Sequence, residues 1–235
     1  MTAGHFGFAA AVKSKAPRVP LWALMLATYL LDVVFIFLVS AGLESFSSIN
    51  SGHPAYGGVV IHAYYSHSLV GAILIAVIAG LAANLLWDKR AGIVIFAVVF
   101  SHWILDLIVH RPDLPILPGN IGNLPFLGFG LWNLPVVSAL VELALVIGGS
   151  YLYYQTARNA PGAIEKDGKR NTRALLAAGT TGLLTMLLLL SDFLSLPMII
   201  GVVLMLLIII FYGWLDSRLN WRADEIKMEM EPGVQ

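Results

Sequence analysis

The chain has 235 residues, 58% hydrophobic and only 12% charged, with 14 basic and 14 acidic side chains and no cysteine; its mean hydropathy is +0.82. Soluble domains carry about 25% charged residues, so this is the composition of an integral membrane protein, with the lipid bilayer as its first partner. Zero formal net charge gives no bias toward nucleic acid, and the lack of cysteine excludes disulfides and thiolate metal sites.

The N-terminal stretch FGFAAAV is short, and Lys13, Lys15 and Arg18 follow it. That is the reverse of a signal peptide. Residues 4–14 form either an interfacial amphipathic helix or a short re-entrant helix that dips into the bundle from a turn at SKAPRVP. The first reading leaves His5 at the surface; the second carries it about 15 Å inward, beside Asp32.

Hydrophobic stretches then run over 21–41, 62–87, 91–109, 134–154, 173–190 and 196–215. Each approaches or reaches the roughly 20 residues a membrane helix needs. The expected fold is therefore all-α, a polytopic membrane bundle of about six transmembrane helices with a short N-terminal helix. It forms one integral membrane domain: a leading segment 1–20, the bundle 21–215 and a tail 216–235. GLESFSSINSGHPAYGG and HRPDLPILPGNIGNLPFLGFGLWNLP read as irregular loops. NAPGAIEKDGKRNTR reads as a solvated linker.

Lys and Arg alternate between the connections. The leading segment, the second and fourth connections and the tail are basic; the other three carry only Arg111. By the positive-inside rule both termini are cytoplasmic and the remaining loops face outward, in a bacterial inner membrane the periplasm.

Several spans then place ionisable groups at one depth. His102 lies roughly 16 Å up the third span and Asp106 roughly 22 Å, with His110 at the outer boundary, where Pro112 stops the helix. Asp32 lies roughly 17 Å up the first span, and Glu142 roughly 10–12 Å below the outer surface on the fourth. His67 is about a turn and a half below the outer end of the second. His102, Asp106 and His110 recur every four residues and so share one helix face. Ionisable groups in hydrocarbon are costly and point to a functional site. Mixed imidazole and carboxylate donors suit zinc or another first-row divalent metal, so His5, Asp32, His67, His102 and Asp106 are the candidate ligands. Glu142 and His110 stand nearby as candidate catalytic acid–base groups. Arg111, at the outer mouth, could bind an anionic head group of a lipid-like substrate. His53 and His62 read as surface residues, and Asp113 as the cap of a turn in RPDLP.

GHFGFA, the Asp ending ATYLLD, YSHSL and HWILD occur in that order. This pattern resembles the membrane-bound metal-dependent hydrolase family, the YdjM-like inner-membrane hydrolases, and more distantly zinc-dependent phospholipase C. The resemblance covers roughly the first 115 residues. It implies a metal site whose ligands fall on His5, Asp32, His67, His102 and Asp106. YLLD lacks the Pro and one of the two acids of the family's element, and YSHS has Ser where Thr is usual.

The leading expectation is a hydrolase acting at the outer face on a lipid-linked or amphipathic ester or phosphoester. The alternatives are an accessory subunit that docks on partner proteins of a membrane complex through its outward loop, with a structural metal or buried polar seam; a haem held by His67 and His102; and an ion-coupled transporter.

Overall fold

The structure, a computed structural model, describes residues 1–48, 59–158 and 198–217, with isolated positions between 179 and 190. His53, the linker at 159–173 and most of the expected 173–190 span and 216–235 tail lie outside the described residues. The described chain is mostly helical, with one small hairpin. It comprises α1 (Thr2–Lys13), α2 (Leu21–Thr28), α3 (Leu30–Ser40), β1 (Ser45–Ser48), β2 (Val59–His62), α4 (Leu69–Leu86), α5 (Lys89–Val109), α6 (Pro135–Arg158) and α7 (Met198–Ser217). Strands β1 and β2 pair antiparallel, Ser45 opposite His62.

Helices α4, α5 and α6 are long and apolar enough to cross a membrane, and α2 with α3 makes a fourth such unit, bent by 50°. The burial pattern is inside-out for a protein in water. Ile78 and Leu85 on α4 are 67% and 85% exposed, while His102, Asp106 and Glu142 are buried. Apolar side chains facing outward and ionisable ones facing inward is the arrangement a lipid solvent demands.

Helix α1 is not an exposed interfacial helix. Ala3, Phe6, Ala9 and Ala10 on it are buried in the common core. It lies against α6 with almost no side chain between the backbones: a Cβ built on Gly149 would stand 1.9 Å from the Gly7 carbonyl oxygen. Small residues allow this approach, which gives dispersion contact where lipid offers no hydrophobic drive. Glu142 Oε1 accepts from the Gly4 N–H at 3.0 Å, satisfying one orphan donor of the first turn. At the other end Lys13 Nζ donates to the carbonyls of Pro17 and Val19, both at 2.8 Å, and closes the turn into α2.

Two boundaries differ from those read off the hydropathy. The second span begins at Leu69 rather than near residue 62, because His62 pairs in the hairpin and Ser68 caps the helix, its Oγ accepting from Gly71 N at 3.0 Å. The first span is broken at Tyr29, whose φ of −110° and ψ of 3° are not helical. The break lies beside the Thr28 carbonyl, which finds a partner on α5, as described next.

Candidate metal centre

The C-terminal half of α5 supplies the frame. His102 and Asp106, one turn apart, are buried on its inner face, and His110 forms its C-cap. Helix α3 brings Asp32 to this face, the turn before α4 brings His67, and α1 brings His5. The Nε2 atoms of four imidazoles thus converge on two carboxylates. His102 Nε2 is 3.0 Å from Asp106 Oδ2 and 3.7 Å from Asp32 Oδ2. His67 Nε2 is 3.4 Å from Asp32 Oδ1, 3.7 Å from Asp106 Oδ2 and 3.3 Å from His102 Nε2. His110 Nε2 is 3.6 Å from Asp106 Oδ2. His5 Nε2 reaches the other oxygen, Asp106 Oδ1, at 3.1 Å, while its ring stacks on His102 at 3.9 Å between centroids.

The outer edges of the rings decide where the protons sit. His102 Nδ1 lies 2.6 Å from the Thr28 carbonyl oxygen, which can only accept. His110 Nδ1 lies 2.8 Å from Asp113 Oδ1. His67 Nδ1 lies 2.8 Å from Ser66 Oγ, whose own proton is donated to Glu44 Oε2 at 2.8 Å. In the neutral form of each of these rings Nδ1 would therefore carry the hydrogen and Nε2 would turn a lone pair inward. A ligating histidine is held in this way, its second nitrogen donating to a carbonyl or carboxylate.

Lone pairs and two carboxylates packed together in a buried site repel one another unless positive charge lies between them. One proton can bridge His67 and His102 at 3.3 Å, but two would collide. A divalent ion would neutralise both carboxylates and take up several of these lone pairs. Donors about 2.0–2.1 Å from a tetrahedral ion stand about 3.3–3.4 Å from one another, and the separations among His67, His102, Asp32 and Asp106 bracket that value. Two donor triples, His5–His102–Asp106 and Asp32–His67–His102, each keep their atoms within 4.8 Å. This buried His/Asp group could hold a metal ion. His67 and His102 face each other too closely to take a macrocycle between them, so the geometry does not favour haem.

Every residue proposed as a ligand lies in this cluster. His110 joins it through Asp106. Glu142 holds the N-terminus of α1. Arg111 lies just past the C-terminal end of α5, its Nε donating to Asn133 Oδ1 at 2.9 Å. His62 is held between Tyr64 OH and Ser47 Oγ in the hairpin, both at 3.1 Å. The sequence reading missed Glu44, Ser66 and Thr28, which orient the rings, and gave Asp113 only a turn-capping role. A carboxylate three residues after a helix-end histidine is a usable signal for Asp113. No local signal marks Glu44, whose partners are more than 20 residues away.

Comparison with family models, curated proteins and solved structures finds no match to this chain.

Proposed function

We propose that the chain is a six-span inner-membrane hydrolase with both termini cytoplasmic, whose outward site binds one divalent ion, zinc by the chemistry of its donors, and cleaves a lipid-linked or amphipathic ester or phosphoester. The observation that carries this reading is the convergence of imidazole Nε2 atoms and carboxylate oxygens at coordination spacing. Access is the second support. The side chains of His5, His67, His102, His110 and Asp106 are no more than 4% exposed, whereas that of Asp32 is 28% exposed. The cluster thus opens on the Asp32 side.

A bound divalent ion would supply a Lewis acid and a water ionised near neutral pH. His67, His102 and Asp106 would hold that ion. Asp32, at the opening, accepts the proton of the attacking water as its oxygen adds to the carbonyl carbon or phosphorus. Asp32, having taken that proton, would return it to the departing alcohol oxygen, while His110, backed by Asp113, fixes the position of Asp106. Arg111 at the rim pairs with an anionic head group. Orientation is supported by the basic connections, and Trp22 and Trp87, whose rings stand 6.1 Å apart beside Lys89 and Arg90, mark a membrane interface at the opposite end.

The test is hydrolysis by the full chain in vesicles containing lipid esters and phosphoesters. Product release should require the divalent ion and disappear in His102→Ala. Release that survives this variant, or none from any ester or phosphoester, refutes the hydrolase reading.

One observation favours a second reading. Asp32, His67, His102 and Asp106 offer four donors, enough to close a tetrahedral site. The chain would then be a non-catalytic subunit with a structural metal, and ion binding would persist with no hydrolysis.

A further inference from the structure

The Ser66 hydroxyl is used twice, and the two uses are linked. Its hydrogen goes to Glu44 Oε2 at 2.8 Å, which leaves its oxygen free to accept from His67 Nδ1 at 2.8 Å. Glu44 is itself fixed, because its Oε1 accepts from the backbone N–H groups of Tyr65 at 2.7 Å and Ser66 at 2.9 Å. Trp103 Nε1 donates to the His67 carbonyl at 2.9 Å and pins the turn from the other side. Glu44, Ser66 and His67 are all at least 97% buried.

We propose that Glu44 and Ser66 are positioning residues that hold His67 as its Nδ1–H tautomer and thereby set the affinity and geometry of the metal centre. The proposal rests on the reading of the cluster as a metal site. The physical reason is directional. If Glu44 Oε2 did not take the Ser66 hydrogen, the hydroxyl could turn it toward His67 Nδ1. The ring would then carry its hydrogen on Nε2, pointing at Asp32 Oδ1 and His102 Nε2 instead of presenting a lone pair to an ion. The relay also ties the segment after α3 to a ligand on the turn before α4, so the outward face and the metal centre are built together. Partners of ligating histidines characteristically change metal affinity by about 10–100-fold when removed.

The experiment uses the full chain in nanodiscs with Co²⁺ and Zn²⁺ as probes, measured by competition with a chromophoric chelator and by the visible bands of bound Co²⁺. Ser66→Ala and Glu44→Gln should each weaken binding about 10–100-fold and alter the Co²⁺ bands, whereas Ser66→Thr, which keeps the hydroxyl, should bind as the wild type does. The Gln variant keeps an acceptor for both backbone N–H groups, but its amide donates to Ser66 Oγ. Thermal unfolding of the metal-free proteins reports any purely structural loss separately. Wild-type affinity and bands in both Ser66→Ala and Glu44→Gln overturn the relay; if Glu44→Gln does not fold, Ser66→Ala against Ser66→Thr decides alone. Failure of the underlying reading looks different: the wild type binds no Co²⁺, or His102→Ala binds it equally well.

Discussion

Gly149→Ala tests whether α1 is built into the bundle through its contact with α6. The added Cβ would lie 1.9 Å from the Gly7 carbonyl oxygen, and ordinary contact begins near 3.4 Å, so α1 must move by about 1.5 Å. That shift strains three hydrogen bonds made by α1: Gly4 N to Glu142 at 3.0 Å, Thr28 Oγ1 to the His5 carbonyl at 3.3 Å, and His5 Nε2 with Asp106 Oδ1 at 3.1 Å. Overpacking costs about 1–3 kcal/mol and each of the three hydrogen bonds, if lost, about 1 kcal/mol, so the expected loss is about 4–6 kcal/mol. The neighbouring Gly148 is the internal control, since a Cβ there meets nothing within 4 Å. Gly148→Ala should be neutral or stabilise the helix by about 0.5–1 kcal/mol. Thermal unfolding in detergent compares the two. A thiol at Ala3→Cys, in a chain with no other cysteine, should react with labelling reagent much faster in Gly149→Ala than in Gly148→Ala. Equal unfolding and equal labelling in the two variants would refute the docked arrangement.

Three further outcomes follow from single contacts. Asp113→Ala leaves His110 Nδ1 buried without its acceptor and should destabilise by about 1–3 kcal/mol, while Asp113→Asn, which retains an acceptor, should lose less; thermal unfolding measures both. Ser68→Ala removes the cap of α4 and should cost about 1 kcal/mol in the same assay. A reporter fused to the C-terminus should give a cytoplasmic signal, and a periplasmic one would invert the orientation and place the site at the inner face.

Much of the candidate site was legible because helical periodicity and membrane depth are both arithmetic. The four-residue spacing of His102, Asp106 and His110 puts them on one face, and a rise of 1.5 Å per residue puts Asp32 level with them. The N-terminal helix was legible only as two alternatives. What separates them is the close Gly7–Gly149 contact, a tertiary fact with no local signature. The break at Tyr29 was not legible at all: kinks are usually marked by Pro or by Gly and Ser, and Thr28, Tyr29 and Leu30 carry no such mark. Its partner is the His102 imidazole on another helix. The late start of α4 was hidden for a different reason. Hydropathy begins the span at residue 62, whereas His62 pairs as the end of strand β2 opposite Ser45 and Ser68 caps the helix. Glu44 escaped notice because an acid in a Ser-rich loop reads as solvated until Tyr65 and Ser66 are seen to close over it.

The central claim is that the buried His/Asp cluster binds a divalent ion. X-ray absorption on the purified, zinc-loaded chain tests it most directly, with the metal-to-protein ratio measured on the same sample. The account predicts about one ion per chain with a shell of mixed imidazole nitrogen and carboxylate oxygen near 2.0–2.1 Å, both lost in His102→Ala. No stoichiometric ion, or a shell without imidazole, would contradict it and leave the cluster as a proton-shared polar seam.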